Sequence, residues 1–525
     1  MDTVSQLDED TSTALATIRE WRNSLVPINR IPSEILSLIP THLSSQKDRF
    51  HTTFVCRYWR RANVRHGALW TQLFLRRGED YVSTLLERAR ASPLDIVTHH
   101  DVPVTMISQI STLAQRIRHL ECSQTSWNDV ITFSEFNFGQ LPLLRALKIT
   151  TITTRNQPDE VAPPSLPFFR GSADLEEFSL HSDEYQFLNL FIFPNLTRFE
   201  LSSHTTERHC ASLLLDFLRA SPMLRVVKLD INRHIRLEDV AKDTVVILPN
   251  AEIFSLQVRY DEVGYVYDVA THISCPCARD TSLMRKIDAE DMRMDLEVFP
   301  SPTLWDTIVG WYATSSIEEV EVEVKHEPFD ATACSVTFLS SNAPAIRLGF
   351  EVSEMVLFMD SLSIPVDDIC WEVFSRALRT VRDHPLSYHI KHLRIKFRAH
   401  MSYPDQVVDL VDEAVELFSL LESLDKLTIH GCDLHIFLAR FLEDTELPHI
   451  EFPPIKELTI LHPLMDVDVV ECMNAIAELA MLQHGLDIPF ERVTIRAEMV
   501  PTGMVEKLKP WVGVVDCCEE QYSDE

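Results

Sequence analysis

The chain has 525 residues, 45% of them hydrophobic, and a mean hydropathy of −0.03. This describes a folded chain with material for several cores or one long repeat array, not a disordered one. Its formal net charge of −31 argues against a nucleic-acid binder, which would need a basic surface.

The amino terminus, MDTVSQLDED, is acidic and has no apolar core, so no secretory signal is expected. The longest tempting apolar piece, around Phe187 to Phe193, falls far short of the roughly 18 residues that suggest a membrane span. The eleven cysteines are then expected to be reduced thiols packing as small apolar residues, in a cytoplasmic or nuclear protein without a membrane partner. Residues 1–27 read as a tail and an amphipathic helix, Thr11 to Val26, ended by Pro27. Leu15, Ile18, Trp21 and Leu25 share one face of that helix, and the face is expected to pack on the next unit.

Residues 28–75 form the stretch around which the chain is organised. Pro32 suits a first helical position, and Ile35, Leu38 and Ile39 follow at i, i+3 and i+4. Ser44-Ser45 offers an N-cap for a second helix, whose apolar side is Phe50, Phe54 and Val55, with Trp59 continuing the stripe. Leu69 and Trp70 close the segment. Between Ile28 and Gly78 nine Lys/Arg stand against Glu34 and Asp48, so 9 − 2 = +7 and the remainder carries −38. A basic island in an acidic protein suits an acidic partner.

This segment resembles the F-box, the helical module that binds the small adaptor subunit of SKP–cullin–F-box ubiquitin ligases. The matching residues are Ile31-Pro32-x-Glu34-Ile35-Leu36, Ile39, Leu43, Phe54-Val55-Cys56-Arg57-x-Trp59-Arg60 and Leu69-Trp70. Ile31 replaces the commoner Leu, and Pro40 falls where many members continue the first helix. By resemblance to F-box proteins, of the kind found in fungi, the adaptor-binding residues would be Ile31, Pro32, Glu34, Ile35, Leu36, Ile39, Val55, Cys56, Arg57, Trp59, Arg60, Leu69 and Trp70. Some of the apolar ones would fill the adaptor groove and others support the bundle.

Beyond a helix expected over Tyr81 to Ala91, residues 76–515 repeat an apolar-x-x-apolar-x-apolar unit. It occurs at Ile117, Leu144, Leu175, Leu196, Leu224, Ala251, Ile317, Ile390, Leu424, Ile455 and Phe490, counting the first residue of each. Helical patterns lie between them: Thr105 to Arg116, Ala211 to Arg219, Phe374 to Arg382, Leu410 to Leu421, Leu434 to Phe441 and Val469 to Leu482. Strand then helix, recurring, predicts a solenoid in which each unit buries its face on its neighbours. The pattern resembles degenerate leucine-rich repeats; Leu424, Leu427, Ile429, Cys432 and Leu434 match that consensus throughout. The expected class is therefore α/β: an all-α module, then an irregular leucine-rich-repeat-like solenoid with short parallel strands. No repeat is legible over 257–316, and only Ile346 and Leu348 hint at one between Val324 and Pro385. Residues 516–525 read as an acidic tail.

Phosphate-cradling glycine loops, the G-x-S-x-G elbow and H-E-x-x-H are missing from the sequence. Cys275-Pro-Cys277 and Cys517-Cys518 have the wrong spacing for a zinc site, and His209-Cys210 is weak grounds for a nucleophile and base. No catalytic residue, metal or cofactor is expected. Glu319, Glu321 and Glu323 alternate with valines, which places the glutamates on one strand face, a candidate partner surface for a basic target. The sequence thus favours a substrate receptor of an SKP–cullin–F-box ligase, linked through the adaptor to cullin and holding a protein target. The alternative is a repeat scaffold whose F-box-like segment no longer binds the adaptor.

Overall fold

A computed structural model describes residues 2–43, 45–75, 78–99, 110–125, 141–151, 174–182, 193–203, 209–231, 244–259, 269–288, 319–327, 331–339, 345–353, 390–398, 423–430, 455–461, 469–496 and 503–518, with shorter pieces between them. Contacts divide the chain into two compact units, Met1–Ser202 and Ser203–Glu525. No helix among the described residues is long and apolar enough to cross a membrane.

Among the described residues the first unit opens with the α-helices α1 (Asp2–Ser24), α2 (Ser33–Leu36), α3 (Gln46–His51), α4 (Arg57–Arg65) and α5 (Glu79–Ala89). Its strands are β1 (Gln72–Phe74), β2 (Leu94–Thr98), β3 (Ile117–Thr125), β4 (Ala146–Thr151), β5 (Glu177–His181) and β6 (Arg198–Ser203). Each pairs with the next in parallel. Parallel neighbours need a crossover connection, and α5 supplies the first.

The repeated triplet now has a physical meaning. Its first residue sits in the turn before a strand or, at Ile117 and Phe490, at the strand's first position, and its second and third are alternate strand positions on one face. Strand pairing brings Leu120, Leu147, Phe178 and Phe199 into one row and Cys122, Ile149, Leu180 and Leu201 into the next. In all ten triplets that lie wholly within described residues, every member is at most 3% exposed. The eleventh, at Ile317, begins outside them. Phe178 centres an aromatic cluster, with ring centroids 4.8 Å from Phe191, 5.4 Å from Phe193 and 5.8 Å from Phe199.

In the second unit the strands are β7 (His209–Cys210), β8 (Val226–Ile231), β9 (Ile235–Arg236), β10 (Val246–Ile247), β11 (Ile253–Arg259), β12 (Ile273–Ser274) and β13 (Asp280–Asp288). There follow β14 (Glu319–Glu327), β15 (Ala331–Leu339), β16 (Ala345–Ser353), β17 (His392–Arg398), β18 (Lys426–His430), β19 (Glu457–Leu461), β20 (Phe490–Arg496) and β21 (Val512–Cys518). The main ladder runs β8, β11, β13, β16, β15, β14, β17, β18, β19, β20, β21. Two short parallel pairs, β7 with β9 and β10 with β12, stand apart. The expected helices at Ala211–Arg219 and 469–482 are present, the latter extending to Gly485. Those expected at 374–382 and 434–441, and all of 410–421 but Leu421, lie outside the described residues, as do Cys432 and Leu434.

Two features depart from the sequence reading. Strand β13 lies inside the interval that showed no repeat; its buried row holds Thr281 and Leu283 where other strands carry two large apolar residues, so the apolar triplet is broken. The weakly patterned stretch after Val324 forms an antiparallel meander. Strand β14 lands three places from β13, and β15 and β16 return toward it, so β15 alone runs against its neighbours. Strands of this meander are parallel to the rest only at its two flanks, β16 on β13 and β14 on β17.

On β17, His392 lies half-buried with Nε2 2.9 Å from the Thr428 hydroxyl. Burial, then the Arg394 and Lys426 charges, push its imidazole down to about 4. A folded-state value below the unfolded 6.5 means that the unfolded chain binds the extra proton between the two. His392 therefore contributes stability above about pH 6.5 that is lost as pH falls toward about 4. Melting temperatures at pH 7.5 and 5.0 should differ less in His392→Gln than in the wild type; an unchanged difference would refute this assignment.

Candidate functional site

Residues 28–70 fold as short pieces held by specific polar ties. Pro32 is the N-cap of α2 rather than its first residue, and the helix is a single turn. Pro40 then lies in the first turn of a 3-10 helix, Ile39–His42, which prevents α2 from continuing. Ser45 caps α3, its hydroxyl accepting from the Asp48 amide at 3.4 Å. After the 3-10 turn Thr52–Phe54 the backbone is extended at Cys56 (φ −161°, ψ 174°), and α4 starts afresh at Arg57. That break overturns the expectation of one apolar stripe through Trp59. Phe54 and Val55 point outward, whereas Trp59 turns in.

The inward set is Leu36, Trp59, Leu69 and Trp70, all buried. Trp59 Nε1 donates to Asn29 Oδ1 at 2.8 Å, and Asn29 Nδ2 donates to the Asn23 carbonyl at 2.7 Å. Trp70 Nε1 donates to the Asn63 carbonyl at 3.2 Å, while Asn63 Nδ2 donates to the Thr52 hydroxyl at 2.9 Å. Phe50 stacks on Trp70 at 5.4 Å, and the Arg88 guanidinium lies 4.6 Å from the Trp70 ring. Thus Leu36, Trp59, Leu69 and Trp70, placed among the adaptor-binding residues by resemblance, are internal supports.

The outward set is different. Ile35 is 53% exposed, Phe54 70% and Val55 61%, and Leu38 and Tyr58 are exposed beside them in the sequence. They lie on α2 (Ile35), between α2 and the next 3-10 turn (Leu38), in the turn before α4 (Phe54, Val55) and on α4 itself (Tyr58), and α2 packs on α4. Pro32, Glu34, Arg57, Arg60 and Arg61 are also exposed; Ile31, Ile39 and Cys56 are half-buried. Tyr58 donates to the Ile31 carbonyl at 2.7 Å, and Arg60 donates to the Thr53 carbonyl at 3.1 Å while lying 5.7 Å from the Phe54 ring. The surface is therefore an apolar crest with a cationic edge on a fixed base. Leu38, Phe54 and Tyr58 were missing from the expected site; Leu38 was readable as the i+3 neighbour of Ile35.

The crest is stitched to the strands without slack. Only Thr71 separates Trp70 from β1, and the Asp95 amide donates to the Thr71 carbonyl at 3.0 Å. At Gly67 an added Cβ would lie 2.9 Å from the Ala89 carbonyl oxygen and 2.8 Å from the Ser92 hydroxyl. Gly67→Val should cost about 1–3 kcal/mol of stability through this overpacking, measurable as a lowered urea midpoint. An unchanged midpoint would mean that the contact yields freely.

The F-box-like family model matches residues 28–76. This segment is an F-box-like domain. No curated protein matches the chain. The domain's limits enclose the crest, its buried supports and β1, all within the first unit.

Outside the domain, Glu321 on β14 pairs with Lys396 on β17 at 2.8 Å and is largely buried, while the side chains of Glu319 and Glu323 lie outside the described residues. Burial pushes the Cys275 thiol up to about 12, so it packs as an apolar group, and Cys277 beside it is exposed. No cluster of three metal-ligating side chains is found among the described residues.

Proposed function

We propose that this protein is a non-catalytic substrate receptor of an SKP–cullin–F-box ubiquitin ligase. The F-box-like domain docks on the acidic adaptor, which links it to cullin. The strand array, read as an irregular leucine-rich-repeat-like solenoid, holds a protein target. The observation that carries the reading is the F-box-like match at 28–76 on a bundle that leaves Ile35, Leu38, Phe54 and Val55 exposed. Desolvated apolar anchors supply most of an interface's energy, and Arg57, Arg60 and Arg61 at its edge, the charge of Arg57 partly offset by Glu20, raise the association rate with an acidic partner.

Glu319, Glu321 and Glu323 remain the proposed face for a basic target, with the charge of Glu321 already offset by Lys396. Retention of the full chain on immobilised adaptor tests the receptor. A chain that is folded and not retained is instead a repeat scaffold that has lost the adaptor.

A further inference from the structure

Helix α1 sits on the F-box-like domain by its polar side. Arg57 on α4 pairs with Glu20 at 3.2 Å, and Asn29 donates to the Asn23 carbonyl. A surface helix ordinarily buries its apolar stripe. Here Leu7, Leu15, Ile18, Trp21 and Leu25 are all exposed, Trp21 by 66%. The expectation that this face packs on the next unit is thus reversed.

The stripe, continued by Leu25 in the turn just after α1, has heptad spacing. Leu7, Thr11, Ala14, Ile18, Trp21 and Leu25 follow one another at intervals of 4, 3, 4, 3 and 4, the alternation of d and a positions in a helix pair. Charge is polarised along it, with Asp8, Glu9 and Asp10 toward one end and Arg19 and Arg22 toward the other, where the one acid between them, Glu20, is turned to Arg57. Two copies in parallel would put acid beside acid and Trp21 against Trp21. Two copies antiparallel, related by a twofold axis, would face Leu7 with Leu25, Thr11 with Trp21 and Ala14 with Ile18. The flanking positions would then place Asp8 opposite Arg22 twice, and Leu15 against Leu15 at the centre.

We propose that α1 is an antiparallel self-association helix, and that the occupant of its exposed stripe is α1 of a second copy of this chain. Charge complementarity selects this arrangement over the parallel one. The interface is isologous, so it closes at two copies and does not propagate.

Sedimentation velocity of the full chain over a dilution series tests this. The wild type should pass from one-copy to two-copy mass as concentration rises. Leu15→Asp with Trp21→Asp, both at exposed positions, should weaken association at least about a hundredfold without changing the melting temperature. Arg22→Asp alone should weaken it about threefold to tenfold, and adding Asp8→Arg should restore it. A wild type of one-copy mass throughout would overturn the proposal, as would association that survives loss of Leu15 and Trp21. Failure of the Asp8→Arg, Arg22→Asp pair to restore association would overturn the antiparallel register. Adaptor retention, measured on the same variants, reads the receptor function separately.

Discussion

Ile35→Asp combined with Val55→Asp will abolish retention on immobilised adaptor while leaving thermal unfolding unchanged. Both side chains are more than half exposed, so the folded chain loses no core contact when they are replaced. In a docked interface each would be desolvated, and a carboxylate there is buried without a partner. With an acidic partner the new charges also repel. The expected loss is at least about a hundredfold in affinity, as befits two central anchors. Leu36→Ala provides the contrast: Leu36 is fully buried, so its truncation should lower stability by about 2–5 kcal/mol. Full retention of the Asp double variant would remove the crest from the adaptor interface.

Phe178→Ala should be among the most destabilising single substitutions in the first unit, at about 3–5 kcal/mol. Its ring is fully buried and meets three other aromatic rings, all within 6 Å by centroid. The pairing rows make the loss cooperative, because Leu147 and Phe199 flank it on adjacent strands and neither can shift without moving its own row. Phe54→Ala removes the same side chain from an exposed site and should cost under about 1 kcal/mol, chiefly its contact with Arg60. Urea unfolding followed by near-ultraviolet circular dichroism will distinguish the two. Equal costs would contradict the burial described above.

The parallel strands were legible in the sequence because each triplet serves one physical purpose, filling the approach to a strand or its first position and then two successive core positions. The pattern alone places Leu424, Leu427 and Ile429 or Leu175, Phe178 and Leu180 in the core, and each is buried. The meander of β14, β15 and β16 was not legible. Strand order is set by long-range pairing, and nothing local in Ala331–Leu339 records that it runs opposite to its neighbours. The F-box-like motif was recognisable as a pattern, but its partition into crest and core was not. Adjacent residues such as Tyr58 and Trp59 differ by only 100° in helical phase, and the break at Cys56 resets that phase. For α1 the stripe was found and its partner misjudged, because amphipathicity records a face and not what covers it.

The direct passage from Trp70 into β1, with Gly67 pressed against Ala89 and Ser92, has a mechanical consequence. If the chain acts as the proposed receptor, this join makes it a bracket and not a tether. Cargo bound on the strands of the first unit would keep one bearing relative to the adaptor, so which of its lysines come within range would be set by angle. Reach would not be averaged over a swinging linker. Inserting a flexible Gly-Ser segment after Thr71 would blur that angular choice before it weakened any binding.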